Sequence, residues 1–131
     1  MNQLITRLEN APEGSRELDR LIWTVGLGNT IKTVIEIGGH QHERWIETDG
    51  TRWKAEATKF STSLDAAVQL VPAEFAWSVQ SSGQFPGQAW LYPPDNTADI
   101  QYQADGATPA LALCGACLKA WASIAQPQEI R

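Results

Sequence analysis

The sequence has little cysteine and no long apolar run, and each shortage excludes a class of protein. No apolar stretch approaches the roughly 20 residues that a membrane-spanning helix needs, and the first residues lack the charged and apolar regions of a signal peptide. The only two Cys lie close together in the chain, which favours free thiols in a reducing compartment. We therefore expect a cytoplasmic protein that does not contact a membrane.

Basic residues are also in the minority. Ten Lys and Arg stand against 15 Asp and Glu, so the formal net charge is −5. A protein that grips long nucleic acid needs clustered cations to neutralise phosphates, and that class is disfavoured here. With 131 residues and 43% hydrophobic residues, the chain predicts one globular domain over residues 1–131 that needs no metal or disulfide to fold.

The order of helix and strand signals predicts an α+β domain. Ser15 is a candidate N-cap for a helix that ends near Gly26 and Gly28,. Thr108 and Pro109 open a helix that continues to Ala125 with almost no polar residue, which is typical of a buried core helix,. Strand signals fall at residues 31–37, 43–48, 51–57, 75–79, 89–92 and 100–103,. Because hairpin turns join several of them, we expect one antiparallel sheet of about six strands.

Two segments resemble a known family. Residues 60–67 (FSTSLDAA) and 107–114 (ATPALALC), with Leu118-Lys119-Ala120 after them, are similar to the phage ABA sandwich domain found in small phage and prophage proteins. The resemblance implies a sheet packed between helical layers, an α/β/α sandwich, in the cytoplasm of a bacterial host. The family brings no agreed catalytic residues, so none is carried over.

The cysteine and histidine patterns each allow a functional and a structural interpretation. Cys114 and Cys117 have the spacing of a redox dithiol, but they fall inside an apolar helix rather than at its N-terminus,. Buried thiols that pack as small hydrophobic groups are the favoured interpretation. His40 and His42 would have to join the two Cys to hold zinc, and the spacing fits no standard zinc finger,. We expect no metal and no cofactor.

Catalytic motifs are scarce as well. The carboxylates of the predicted hairpins are interleaved with basic residues, as on a solvated sheet face; they are Glu43, Glu47, Asp49 and Glu56. No nucleophile elbow or phosphate-binding Walker loop is present in the sequence,. The sequence predicts a protein that binds rather than an enzyme.

One stretch combines cations, aromatic rings and hydroxyl groups, as an anion site at a helix N-terminus would. The candidate ligand-binding residues are His42, Arg52, Trp53, Lys54, Lys59, Ser61, Thr62, Ser63 and Tyr92. The alternative is an N-cap beside a solvated hairpin whose Trp residues pack in a core or a dimer face.

The resemblance to a phage family, taken together with these residues, leaves two functions open. The first is a phage-encoded sponge that sequesters a small anionic, nucleotide-derived immune signal of the cyclic nucleotide or ADP-ribose type, to counter host defence. The second is a homo-oligomeric phage accessory or structural protein that acts through protein–protein interaction; six Trp and an acidic surface suit such an interface.

Overall fold

The computed structural model describes residues 1–35, 38–48, 50, 53–54, 58–84, 86–94 and 101–125. Of the predicted positions, Asp49, Arg52 and Glu56 lie outside these ranges, as do most of the predicted strand at 51–57 and the start of the one at 100–103. For Trp53 and Lys54 the structure describes the backbone but not the side chains.

Helices open and close the described chain, and the strands lie between them. The helices are α1 (Asn2–Asn10), α2 (Arg16–Leu21), α3 (Leu64–Val68) and α4 (Pro109–Ala125), and a π-helical turn (Ile22–Gly26) continues α2. The strands are β1 (Thr30–Ile35), β2 (Gln41–Ile46), β3 (Trp53–Lys54), β4 (Ala76–Gln80), β5 (Gly87–Tyr92) and β6 (Tyr102–Gly106). No helix in the described ranges is long and apolar enough to cross a membrane.

The prediction of one six-stranded sheet is wrong. The described strands form two separate antiparallel sheets, with the orders β1-β2-β3 and β4-β5-β6, and β3 is only two residues long. Because the described strands do not form a single sheet, the α/β/α sandwich is wrong too, although the α+β class and the antiparallel pairing are confirmed. Hairpin signals specify each local pairing but not which hairpins share an edge, and here α3 separates the two sheets along the chain.

The predicted core helix is confirmed. Every residue of α4 from Ala110 to Leu118 is buried, and both its cysteines are inaccessible to solvent. α4 packs on the inward face of the second sheet, where Ala89, Leu91 and Ala104 are buried. A Cβ at Gly115 would lie 3.1 Å from that of Ala104, so the glycine lets the helix approach the sheet closely.

Aromatic side chains connect the first sheet to this core. The rings of Trp23, in the π-helical turn, and Trp45, in β2, have centroids 5.5 Å apart, and Phe60 lies 6.4 Å from Trp23 on another side. All three are buried. The indole of Trp23 also donates to the Thr30 carbonyl at 2.9 Å, which meets the polar requirement of a buried Trp.

Candidate functional site

Ser61, predicted to bind ligand, is buried instead in a hydrogen-bonded cluster with α2. It is 1% exposed, and its hydroxyl accepts from the Ser15 backbone N–H at 2.9 Å. Its one proton lies within reach of Oδ1 of Asp19 at 2.7 Å and of the Ser15 carbonyl at 2.9 Å. The buried Asp19 carboxylate also accepts from the Ser61 N–H at 2.8 Å. These contacts use the hydroxyl inside the protein, so Ser61 joins α2 to the segment before α3.

The neighbouring predicted residues divide between structural and exposed roles. The Ser63 hydroxyl accepts from the Ala66 N–H at 3.3 Å and so caps α3, as the alternative interpretation of this stretch predicts. Lys59 and Thr62 are exposed. α3 has five residues, too few to sum into the dipole of a long helix. Of the hydroxyl run, Thr62 alone presents its side chain at the exposed surface.

The other predicted residues lie in different parts of the fold. His42 is in β2 opposite Val34, in the first sheet. Tyr92 is in β5 opposite Ala76, in the second sheet, and is 39% exposed. The structure therefore does not place these two with the hydroxyl run on one element.

Two of the predicted residues share a cavity of about 460 Å³ beside the N-terminus of α4, lined by Glu13, Gly14, Ser61, Thr62, Leu64, Thr108, Pro109 and Ala110. Its one charged lining residue is Glu13. A carboxylate repels phosphate, and Thr108 already caps the helix by accepting from the Leu111 N–H at 3.2 Å. The lining of this cavity is therefore poorly matched to an anion.

A second open cavity, of about 510 Å³, was not predicted from the sequence; we call it the Trp121 cavity. It is lined by Met1, Gly26, Leu27, Asn29, Glu47, Thr48 and Trp121. The half-buried indole of Trp121 donates to the Leu70 carbonyl at 2.6 Å, which fixes the ring. The Thr48 hydroxyl donates to Oδ1 of Asn29 at 2.6 Å, which leaves the amide NH₂ of Asn29 as a donor.

The backbone after α2 explains how Asn29 reaches this cavity. The wide π-helical turn ends with Leu27 N–H donating to the Ile22 carbonyl at 2.9 Å, and Asn29 N–H donates to the Trp23 carbonyl at 3.0 Å. Gly28 has a φ of 73°, a left-handed conformation that glycine adopts without strain. The predicted helix stop is therefore confirmed. π-helical turns are rare and often occur at functional sites.

Glu43 forms an ion-paired cluster between α2 and β2. Arg16 donates to its carboxylate at 2.5 Å, Arg20 donates to the other oxygen, and the Trp45 indole lies 3.4 Å away. Burial alone would raise the pKa of Glu43, but the hydrogen bonds from Arg20, Arg16 and Trp45 outweigh it and the pKa is lowered. A carboxylate held ionised between two guanidinium groups stabilises the packing of α2 and is a poor general base.

The two cysteine thiols have low reactivity. Burial, with the nearby Cys117 thiol and the Asp19 carboxylate, raises the pKa of Cys114 well above its ordinary value, and burial raises the pKa of Cys117 to about 12. The Cys114 thiol also donates to the Phe60 carbonyl at 3.2 Å. Neither thiol is a ready nucleophile. Within the described ranges, no group of three or more His, Cys, Asp and Glu is placed to hold a metal ion.

Comparison with known proteins finds no match: no family model, no curated protein and no solved structure is similar to this chain. The resemblance to the phage ABA sandwich domain therefore stays a prediction.

Proposed function

We propose that this chain is a non-catalytic binding protein that holds a small planar, polar ligand in the Trp121 cavity. The observation that carries the proposal is the lining of this cavity, in which a fixed indole lies with an amide donor and a hydroxyl group. An aromatic ring with a few polar groups in an open cavity of this size is typical of small-ligand sites.

The charge of the lining selects the chemistry of the ligand. The lining contains one carboxylate, Glu47, and the α-amino group of Met1, but no Lys, Arg or His, so it has no excess of positive charge for a phosphate group. A neutral or weakly basic ring, such as a nucleobase or nucleoside, suits this environment better than a phosphate group does. A nucleotide-derived molecule would place its base against Trp121 and leave its phosphates outside, in solvent.

This proposal retains sequestration as the function. A ligand held without acid–base chemistry stays intact, which is what a sponge for a nucleotide-derived immune signal requires. Phage origin, the bacterial cytoplasm and the counter-defence role rest on the resemblance of residues 60–67 and 107–114 alone. These three statements are therefore parts of the proposal that depend on the resemblance and not on the cavity.

The test is a panel of nucleobases, nucleosides, cyclic oligonucleotides and ADP-ribose derivatives, followed by melting temperature and by recovery of the ligand after heating. A ligand at 100 times its dissociation constant stabilises the folded state by about 2.7 kcal/mol, so a shift of several degrees is expected. Nucleosides should bind at least as well as their phosphates, and the released ligand should be intact. Hydrolysed ligand would identify an enzyme instead.

Variants locate the site. Asn29→Ala and Trp121→Leu should weaken binding. Tyr92→Leu is the matched control, because Tyr92 is an exposed aromatic residue of β5 in the second sheet. Loss of binding in Tyr92→Leu alone would return the site to the residues predicted from the sequence. If no compound in the panel shifts the melting temperature, the proposal fails and the homo-oligomeric interaction protein becomes the better one.

A further inference from the structure

β4 is an edge strand without the usual protection against pairing. In the sheet order β4-β5-β6 it has a neighbour on one side only, so alternate backbone N–H and C=O groups along its outer edge have no strand partner among the described residues. Four of its five residues are exposed, and Trp77 is 39% exposed. Free edges of this kind are templates for pairing with another strand.

The other described edge strands contain charges that discourage such pairing. β1 contains Lys32 and β6 contains Asp105. In β6, one backbone acceptor is also occupied, because the Lys119 ammonium donates to the Gln103 carbonyl at 2.8 Å. β4 has the sequence AWSVQ, with no charge, no proline and no glycine. Charged residues on edge strands prevent edge-to-edge association, and β4 alone among these strands lacks them.

We propose that two copies of this chain pair antiparallel through β4, about a two-fold axis at Ser78. This register places Ser78 opposite its copy, Trp77 opposite the partner's Val79 and Ala76 opposite the partner's Gln80. Aromatic and β-branched residues form favourable cross-strand pairs, and no like charges face each other despite the net charge of −5.

The dimer would also cover exposed apolar surface. In the register of β4 with β5, Trp77 lies opposite the buried Leu91 and Val79 opposite the buried Ala89, so both project to the face on which α4 packs. The partner's Val79 would shield the exposed part of Trp77 there. The β4-β5-β6 sheets of the two copies would become one continuous sheet, with both α4 helices on the same face.

The test is sedimentation of the purified chain over a concentration series, with variants at the two-fold axis. The unchanged protein should dimerise in the micromolar range. Ser78→Lys should raise the dimer dissociation constant at least about tenfold, because like charges directly opposite in a sheet repel. Ser78→Glu should do the same, and an equimolar mixture of the two variants should dimerise again. Thr33→Lys is the matched control, since Thr33 is an exposed residue of the β1 edge, and it should leave dimerisation unchanged.

A cysteine at the two-fold axis provides a second test of the dimer. This substitution introduces no charge into the strand. Residues directly opposite in an antiparallel pair have Cα atoms about 4.5–5.5 Å apart, which a disulfide can span. Oxidised Ser78→Cys should therefore run as a covalent dimer on a denaturing gel, while Thr33→Cys should not. A monomer at all concentrations, or a dimer unaffected by the charged variants and not cross-linked by Ser78→Cys, would overturn the proposal.

Discussion

Replacing Ser61 by Ala separates a structural hydroxyl from a ligand-binding one. If Ser61 were a surface residue that binds an anion, the stability of the ligand-free protein would not depend on its hydroxyl group. In the structure the hydroxyl is buried and accepts from the Ser15 N–H, while its proton faces the Asp19 carboxylate. Ser61→Ala should therefore destabilise the protein with no ligand present.

The size of the loss follows from the two kinds of hydrogen bond. A bond to a charged group contributes about 1.5–3 kcal/mol and one between neutral groups about 0.5–1.5 kcal/mol. The substitution removes the Ser61 hydroxyl, which donates to Asp19 and accepts from the Ser15 N–H. It keeps the hydrogen bond from the Ser61 backbone N–H to Asp19. We expect a loss of about 3 kcal/mol, a large part of the 5–15 kcal/mol of a typical domain.

Urea unfolding followed by Trp fluorescence measures this loss directly. Thr62→Ala is the matched control, because Thr62 is the exposed hydroxyl residue next in the chain, and its change should stay within about 0.5 kcal/mol. Ser63→Ala, which removes a helix cap, should cost about 1 kcal/mol. Equal small losses in Ser61→Ala and Thr62→Ala would refute the reasoning and restore Ser61 to the candidate ligand site.

Two further substitutions and one labelling experiment test other buried or ion-paired groups of the fold. A Cβ at Gly14 would lie 2.1 Å from the Ser61 carbonyl oxygen, so Gly14→Ala should lower the urea midpoint more than any of the serine variants does. The lowered pKa of Glu43 means that its stabilising effect is complete above the ordinary carboxyl pKa and is lost as the pH falls through the folded-state pKa,; Glu43→Gln should flatten this acid limb in melts across pH. Burial and the raised pKa values of Cys114 and Cys117 should make thiol labelling slow until the protein unfolds, and fast labelling at neutral pH would contradict this.

Local signals predicted the local elements. Thr108, Pro109 and the apolar run after them specify α4 through an N-cap, a first-position proline and a nearly all-apolar surface, and the structure confirms the cap, the proline and the burial of the apolar run. The antiparallel pairing of β1 with β2 follows in the same way from strand segments joined by a Gly-rich turn. These features depend on residues close together in the sequence, where propensity is strong.

Long-range features were beyond such signals. The division of the strands into two sheets depends on which hairpin packs against α4, and no local residue encodes that choice. The same holds for the tryptophans: Trp23 and Trp45 are buried, Trp77 is exposed and Trp121 is half-buried, although each is simply a large amphipathic ring in the sequence. Composition shows that there are many, but burial depends on contacts across the fold.

The candidate site shows the same limit most clearly. The hydroxyl run at residues 61–63 has the local pattern of both an anion site and a helix cap, and the partner that decides the role of Ser61 is Asp19, which is 42 residues away. Conversely, the Trp121 cavity joins the turn after α2, the end of β2 and the last turns of α4. Each of these pieces has an ordinary local role, as a helix stop, a hairpin and a core helix. Their proximity arises because the π-helical turn packs against α4 at Gly26, where a Cβ would lie 2.9 Å from Leu118. The site is therefore a product of packing between distant segments, and variants at Asn29 and Trp121 test it more directly than any variant of the hydroxyl run.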